Sequence, residues 1–213
     1  MAVRAAVVVS VLALLLAGCS GGSPHATQSS GSALRQVQPS TPQDAARVKA
    51  LAADQGQPWG NAPVPHTWSH VLSDQLPHNL IPSFTLGRGL LYARAANANF
   101  SPPTSPRSVA AADLLFERGL LISAVTRNPW GGPNPDAAQW AATVAKYPGN
   151  APTPLQSTAV VNGVPAEVWV GQPSYFGGTD TVVAWVVAPW SYRVELQGND
   201  VAGALRVASS LGH

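Results

Sequence analysis

Charge is scarce in this chain. Lys, Arg, Asp and Glu together make up 10% of its 213 residues, against about a quarter in an average soluble protein. The 12 basic and 10 acidic residues nearly cancel, and Lys and Arg form no cluster anywhere. Without a basic stripe there is no electrostatic footprint for nucleic acid and no polybasic patch for a membrane surface. Cysteine is scarcer still: Cys19 stands alone. A disulfide framework and a cysteine-built zinc site are thereby excluded, so the fold must stand on its hydrophobic core. Catalytic signatures are missing as well. No nucleophile elbow joins a strand to a helix, and Gly131-Gly132 and Gly177-Gly178 do not sit where a phosphate-cradling loop must. The ten carboxylates are scattered singly, and Glu117, Glu167 and Glu195, each in an expected strand, read as facing solvent. The expectation is a non-enzyme without a cofactor.

What is present begins at the N-terminus. Arg4 opens a small and apolar run, Ala5 to Leu15, that ends in Leu16-Ala17-Gly18-Cys19. One basic residue, an apolar core and a small-residue cleavage site make a secretory signal peptide. The run is too short for a comfortable transmembrane helix, which needs about 20 apolar residues. Leu-Ala-Gly-Cys resembles the lipobox of bacterial lipoproteins. That resemblance implies cleavage before Cys19, a diacylglycerol on its thiol, and a protein anchored by lipid on the extracytoplasmic face of the cell membrane. Lysine occurs twice against ten arginines, in a background of Ala, Gly, Pro and Val. This is the codon signature of a GC-rich genome of the actinobacterial kind.

The chain then divides by composition. Residues 1–18 are the signal peptide, and 19–40 are the lipidated cysteine and a small, polar, aperiodic tether. Thr41-Pro42-Gln43-Asp44 starts a helix with a Thr cap and Pro in the first turn. Its alanine-rich face suggests marginal docking over 41–58. Residues 59–213 fit a single domain. A short helix is expected around 66–75, a strand over 84–94, a hairpin over 113–126 and a helix over 135–146. The clearest signal is Asn162-Gly163 between two apolar runs, which predicts a tight hairpin. Thr181 to Val187 is apolar on both faces, as in a central strand, and Tyr192 to Gln197 alternates as a half-buried one. Asn199-Asp200 caps a last helix with apolar residues at 201, 204, 205, 208 and 211. Hairpins and a terminal helix without crossovers predict an α+β fold: a curved antiparallel sheet packed by a C-terminal helix and short accessory helices.

The order of the Asn162-Gly163 hairpin, the Trp185 strand, the strand from Tyr192 to Gly198 and the helix ending in Ala208-Ser209-Ser210-Leu211 resembles a known family. It is similar to the domain-of-unknown-function modules of envelope lipoproteins and of extracytoplasmic anti-sigma-factor proteins. The resemblance implies an envelope sensing or interaction module with no catalytic residues to carry over. No cytoplasmic domain accompanies it here, as the anti-sigma architecture would require.

Two groups of residues are candidates for binding. His66, His70, Asp74 and His78 follow one another at intervals of four. On one helix His66 and His70 would share a face and offer two imidazoles to a metal. Pro65 and Pro77 limit any such helix, so a polar face turned to water is preferred and no metal is expected. The seven tryptophans are the second group. Trp is a large apolar anchor with one polar handle. Trp140, Trp169 and Trp185 read mainly as core, while Trp59, Trp68, Trp130 and Trp190 lie beside Pro or Gly, where they can line a groove. Trp169, Trp185, Trp190 and Tyr192 are the ligand-binding candidates. The leading expectation is a membrane-anchored binding or sensing module whose partner is an envelope protein or a lipid. The alternative is a carrier holding a lipid or glycolipid in an apolar cavity of the sheet. The two differ in whether Val168, Val182, Trp185, Val187 and Tyr192 line a filled core or an open cavity.

Anchoring depends on one sulfur atom. Cys19→Ser should abolish partitioning of the chain into a detergent phase. A Cys19→Ser chain that still partitions as a mature, acylated protein would contradict the anchor.

Overall fold

The computed structural model describes residues 34–54, 68–99, 101–126, 157–174 and 176–212. Within them, β1 (Ser69–His70), β2 (Leu90–Asn97), β3 (Val109–Phe116) and β4 (Leu120–Thr126) form one antiparallel meander. A second comprises β5 (Ser157–Val161), β6 (Val164–Pro173), β7 (Thr179–Val187) and β8 (Trp190–Gln197). The two meet where β4 pairs with β8, giving a single open sheet in the order β1-β2-β3-β4-β8-β7-β6-β5. Two α-helices are described: α1 (Pro42–Ala53) and α2 (Val201–Ser209). The α+β fold is as expected.

The turns follow from residue chemistry. Asn162 and Gly163 both have positive φ, 50° and 85°, the backbone of a type I′ turn whose twist matches the flanking strands. Val161 is thereby paired with Val164. Two residues, Ala188 and Pro189, joined by a cis peptide, connect β7 to β8. They lead into eight consecutive pairs from Val187↔Trp190 to Asp180↔Gln197.

Alternation then sorts side chains onto two faces. One face carries Leu114, Phe116, Leu120, Ile122, Val168, Val183, Val194 and Leu196, all fully buried. It packs against Ala204, Val207, Ala208 and Leu211 of the α2 segment and against Leu76 and Leu80. The buried stripe of α2 is Gly203, Ala204, Val207 and Ala208, while Val201 and Leu205 are only half-buried. The expected stripe was thus rotated toward the larger residues. A Cβ on Gly203 would collide with the Asp200 carboxylate, so glycine there makes room for the capping side chain. Asp200 caps α2 by accepting from the Gly203 N–H at 2.8 Å.

The opposite face is buried too, and a row of polar side chains runs across it among smaller apolar groups. Arg94, Asp113, Ser123 and Arg193 stand in register across β2, β3, β4 and β8. Arg94 Nε donates to Asp113 at 2.8 Å, and Arg193 Nε lies 2.9 Å from Glu195. Glu195 is 8% exposed, so the expectation that it faces solvent is corrected. Both faces of β8 are covered, and the alternation there separates an apolar burial from a polar one. Helix α1 docks on this face through charge. Its Thr41 cap accepts from the Asp44 N–H, as expected. Asp44 binds Arg47 at 2.7 Å and accepts from the Arg118 N–H, and Arg47 donates to Gln197. At the other end Arg94 donates to the Leu51 carbonyl at 2.7 Å and to that of Asp54. A cation so placed also complements the negative end of the helix dipole. The alanine face is therefore no measure of how firmly the helix is held.

Three further expectations change. The strand placed over 84–94 begins only at Leu90, because Leu86 and Gly87 take positive φ and turn the chain first. No α-helix covers the described part of 66–75: Ser69 and His70 pair with β2 instead, and only Ser73–Gln75 makes a 3-10 turn before Pro77. Residues 36 and 37, expected within the tether of 19–40, pair with the start of β2 instead. Gln36 bridges Leu90, and Val37 donates to the Leu90 carbonyl at 2.8 Å. Cys19 and the 135–146 helix lie outside the described residues.

Burial orders the effects of substitution in this last segment. Leu211 is 3% exposed, so Leu211→Ala should cost about 2–5 kcal/mol. Ser209→Ala, on the exposed side, should stay within about 0.5 kcal/mol. Equal urea midpoints for the two variants would contradict this docking of α2.

Candidate functional site

The eight-pair register of β7 and β8 sets Trp185 opposite Tyr192 on the apolar face. Their rings stack at 5.1 Å with 9° between planes. Two residues further toward the turn, the tilted Trp190 ring lies 6.5 Å from Tyr192 and is half-buried. The 3-10 turn His78–Leu80 closes the side of this group. It is held there by the Pro82–Leu211 bridge and by the Ser83 N–H donating to Ser210 at 3.0 Å. Asn79 Nδ2 then donates to the Tyr192 hydroxyl at 2.8 Å. That hydroxyl accepts from Asn79, so its own proton is left to donate. Burial pushes the phenol pKa up, opposed by the Asn79 hydrogen bond, so the hydroxyl keeps that proton at neutral pH.

Around this floor lies a cleft of about 270 Å³, lined by Asn79, Trp185, Val187, Pro189, Trp190 and Tyr192 among others. A second cleft of about 440 Å³ is lined by Asp74, Pro77, His78, Arg107, Val109 and Trp190. Trp190 belongs to both. One end is thus aromatic and the other carries an acid, an imidazole and a guanidinium on exposed positions.

Three of the four binding candidates meet here: Trp185, Trp190 and Tyr192. Trp169 does not, because its place in β6 turns it to the polar face, where it is 2% exposed beside Val182 and Ala184. The five residues expected to share a core or a cavity are divided likewise. Val168, Trp185 and Tyr192 are buried on the apolar face with Val187 at its margin, and Val182 is on the other. Asn79, His78 and Arg107 were not foreseen as one site. Asn79 meets Tyr192 from 113 residues away, His78 and Arg107 share a cleft with Trp190, and nothing in a 3-10 turn or a proline-rich loop announces such neighbours.

The histidine series forms no metal site among the described residues, although Asp74 and His78 line one cleft. His70 lies on β1 with its ring 5.0 Å from Tyr92, while Asp74 and His78 occupy separate 3-10 turns. His66 lies outside the described residues, as do Trp59, Trp130 and Trp140. Among the described residues no three His, Cys, Asp or Glu side chains are placed to hold a metal ion. Trp68 stacks with Arg94, its ring centroid 4.2 Å from the guanidinium carbon. No protein-family model, curated protein or solved structure matches the chain.

The polar face holds the carboxyls with the most altered chemistry. Burial raises the Glu195 pKa above its ordinary 4.5; the Arg193 charge opposes this, and Asp180 and Asp113 add to it. Burial also raises Asp180 above its ordinary 3.8, against the Ser174 hydroxyl and the charges of Arg193 and Arg47. A carboxyl raised in the folded state binds its proton there first, so stability falls as pH rises from the ordinary value through the raised one. Urea midpoints should therefore fall from pH 4.5 toward neutrality, and Glu195→Gln should flatten that slope. An unchanged slope in the variant would show that Glu195 is not the group responsible.

Proposed function

We propose that this chain is a lipid-anchored extracytoplasmic module that binds a ligand in the cleft around Trp190 and does no chemistry on it. The anchor rests on Leu16-Ala17-Gly18-Cys19, and the site rests on one observation. Trp190 is a half-buried tryptophan shared by two clefts, backed by the Trp185–Tyr192 stack. Ligand sites are concave, largely preformed, and combine aromatic walls with a few polar groups. The side chains here suit binding: a hydroxyl donor, an amide, one acid and one guanidinium, with no base held against a nucleophile.

Carriage of a lipid or glycolipid remains the second class of function. The space between the sheet and α2 is occupied by fully buried Val183, Val194, Leu196 and Val207. A carried acyl chain would have to lie in the clefts themselves.

Native mass spectrometry of the full chain taken from its own envelope tests the binding role. Wild type should retain a non-covalent ligand that Trp190→Ala loses. Equal adducts on both, or none on the wild type, would overturn the proposal.

A further inference from the structure

Given a binding cleft at Trp190, the side chains that line it narrow the class of ligand. Four properties act together. The first is an aromatic surface, Trp190 with Trp185 and Tyr192 behind it, lying at the junction of two clefts. An indole face is electron-rich and accepts weakly polarised C–H groups. The second is a set of planar hydrogen-bonding groups of mixed character: Asn79 in the first cleft, and Asp74, His78 and Arg107 in the second. Each offers donors or acceptors arranged in a plane, and the Tyr192 proton adds a donor. The third is stiffness, since Pro77, Pro106 and Pro189 line the clefts with apolar groups that need little ordering on binding. The fourth is charge balance, since Arg107 and Asp74 line the same cleft.

Three other small-ligand classes fit these properties less well. An anion attracted by Arg107 would also meet the Asp74 carboxylate. An aliphatic chain laid in the second cleft would cover an acid, an imidazole and a guanidinium that face water and would offer them no hydrogen bond in return, which is costly. A flat aromatic ligand would stack on Trp190 but leave most of the polar groups unused. A pyranose has what remains. One of its faces presents C–H groups, and its rim carries adjacent hydroxyls, each both donor and acceptor, which paired planar side chains engage two at a time.

We infer that the two clefts around Trp190 form one subsite series for a neutral oligosaccharide, one sugar ring stacked on Trp190 and its neighbours' hydroxyls held by Asn79 on one side and by Asp74, His78 and Arg107 on the other. This deepens the binding role proposed above and rests on it.

Calorimetric titration of the full chain in a zwitterionic detergent tests the assignment. The probes are a panel of neutral trisaccharides including maltotriose and triacetylchitotriose, with octanoate and inorganic phosphate as comparators. At least one trisaccharide should bind saturably, and neither comparator should. Trp190→Ala should weaken that binding roughly tenfold or more, as loss of a central aromatic anchor does. Arg107→Ala, an exposed substitution that leaves the core intact, should weaken it severalfold. Val160→Ala, on the exposed edge strand β5, should leave it unchanged. Absence of saturable trisaccharide binding would overturn the saccharide assignment. If octanoate or phosphate bound instead, and Trp190→Ala abolished it, the cleft would stand as a binding site for another class. Trisaccharide binding that survived both Trp190→Ala and Arg107→Ala would place the sugar elsewhere and overturn the site.

Discussion

The pairing of β7 with β8 is the constraint on which the rest of this structure depends. A two-residue connection fixes the register, and the register decides which face each side chain reaches. Trp185, Tyr192, Val183 and Val194 fall on the face covered by α2, and Val182, Arg193 and Glu195 fall on the other. A slip by one residue would exchange them. Two aromatic rings would then enter a field of ion pairs, and Glu195 would enter a close-packed apolar core. The same pairing joins the two meanders, because β8 is also the strand that meets β4.

The two faces solve the problem of burial differently. On the α2 side, apolar side chains are removed from water at about 25 cal/mol per Å². On the α1 side, a smaller apolar group, Leu51, Leu91, Leu115 and Leu121, sits among buried charges. Arg94 is the centre of that arrangement, reaching Asp113, the last carbonyls of α1 and the Trp68 ring at once. Removing one member of such a network leaves a buried charge uncompensated, which is costly even where the intact network adds little net stability. Charge is rare in this chain, yet much of it is spent here. Asp44, Arg47, Arg94, Asp113, Asp180 and Glu195 are all buried.

Local chemistry made much of the fold legible. Asn162-Gly163, the Thr41 and Asp200 caps, and the doubly apolar Thr181–Val187 strand each depend on neighbouring residues, and each is where sequence placed it. What escaped was set by distant partners. Ser69 and His70 became a strand because the edge of β2 was free to pair with them, not through their own propensity. Glu195 alternates with Val194 and Leu196 as a solvent-facing residue would, and alternation cannot distinguish water from a buried polar face. Of the site, the aromatic half was readable, since Trp185, Trp190 and Tyr192 are few and large. Trp169 shows the limit, because an aromatic residue's type does not reveal its face. The polar half depends on distant contacts that no local pattern encodes: the Pro82–Leu211 bridge beside the turn of His78 and Asn79, and the cleft that brings Arg107 to Trp190.

The central proposal is positional: a ligand would meet this protein at the end of the β7–β8 hairpin and not on its polar face. The indole N–H resonances of the seven tryptophans report on this directly, because the candidate residues lie on opposite sides of one sheet. With a saturating neutral trisaccharide, the Trp190 resonance should move most, Trp185 behind it should move less, and Trp169 should stay in place. Movement confined to Trp169, or absent from Trp190, would contradict the account.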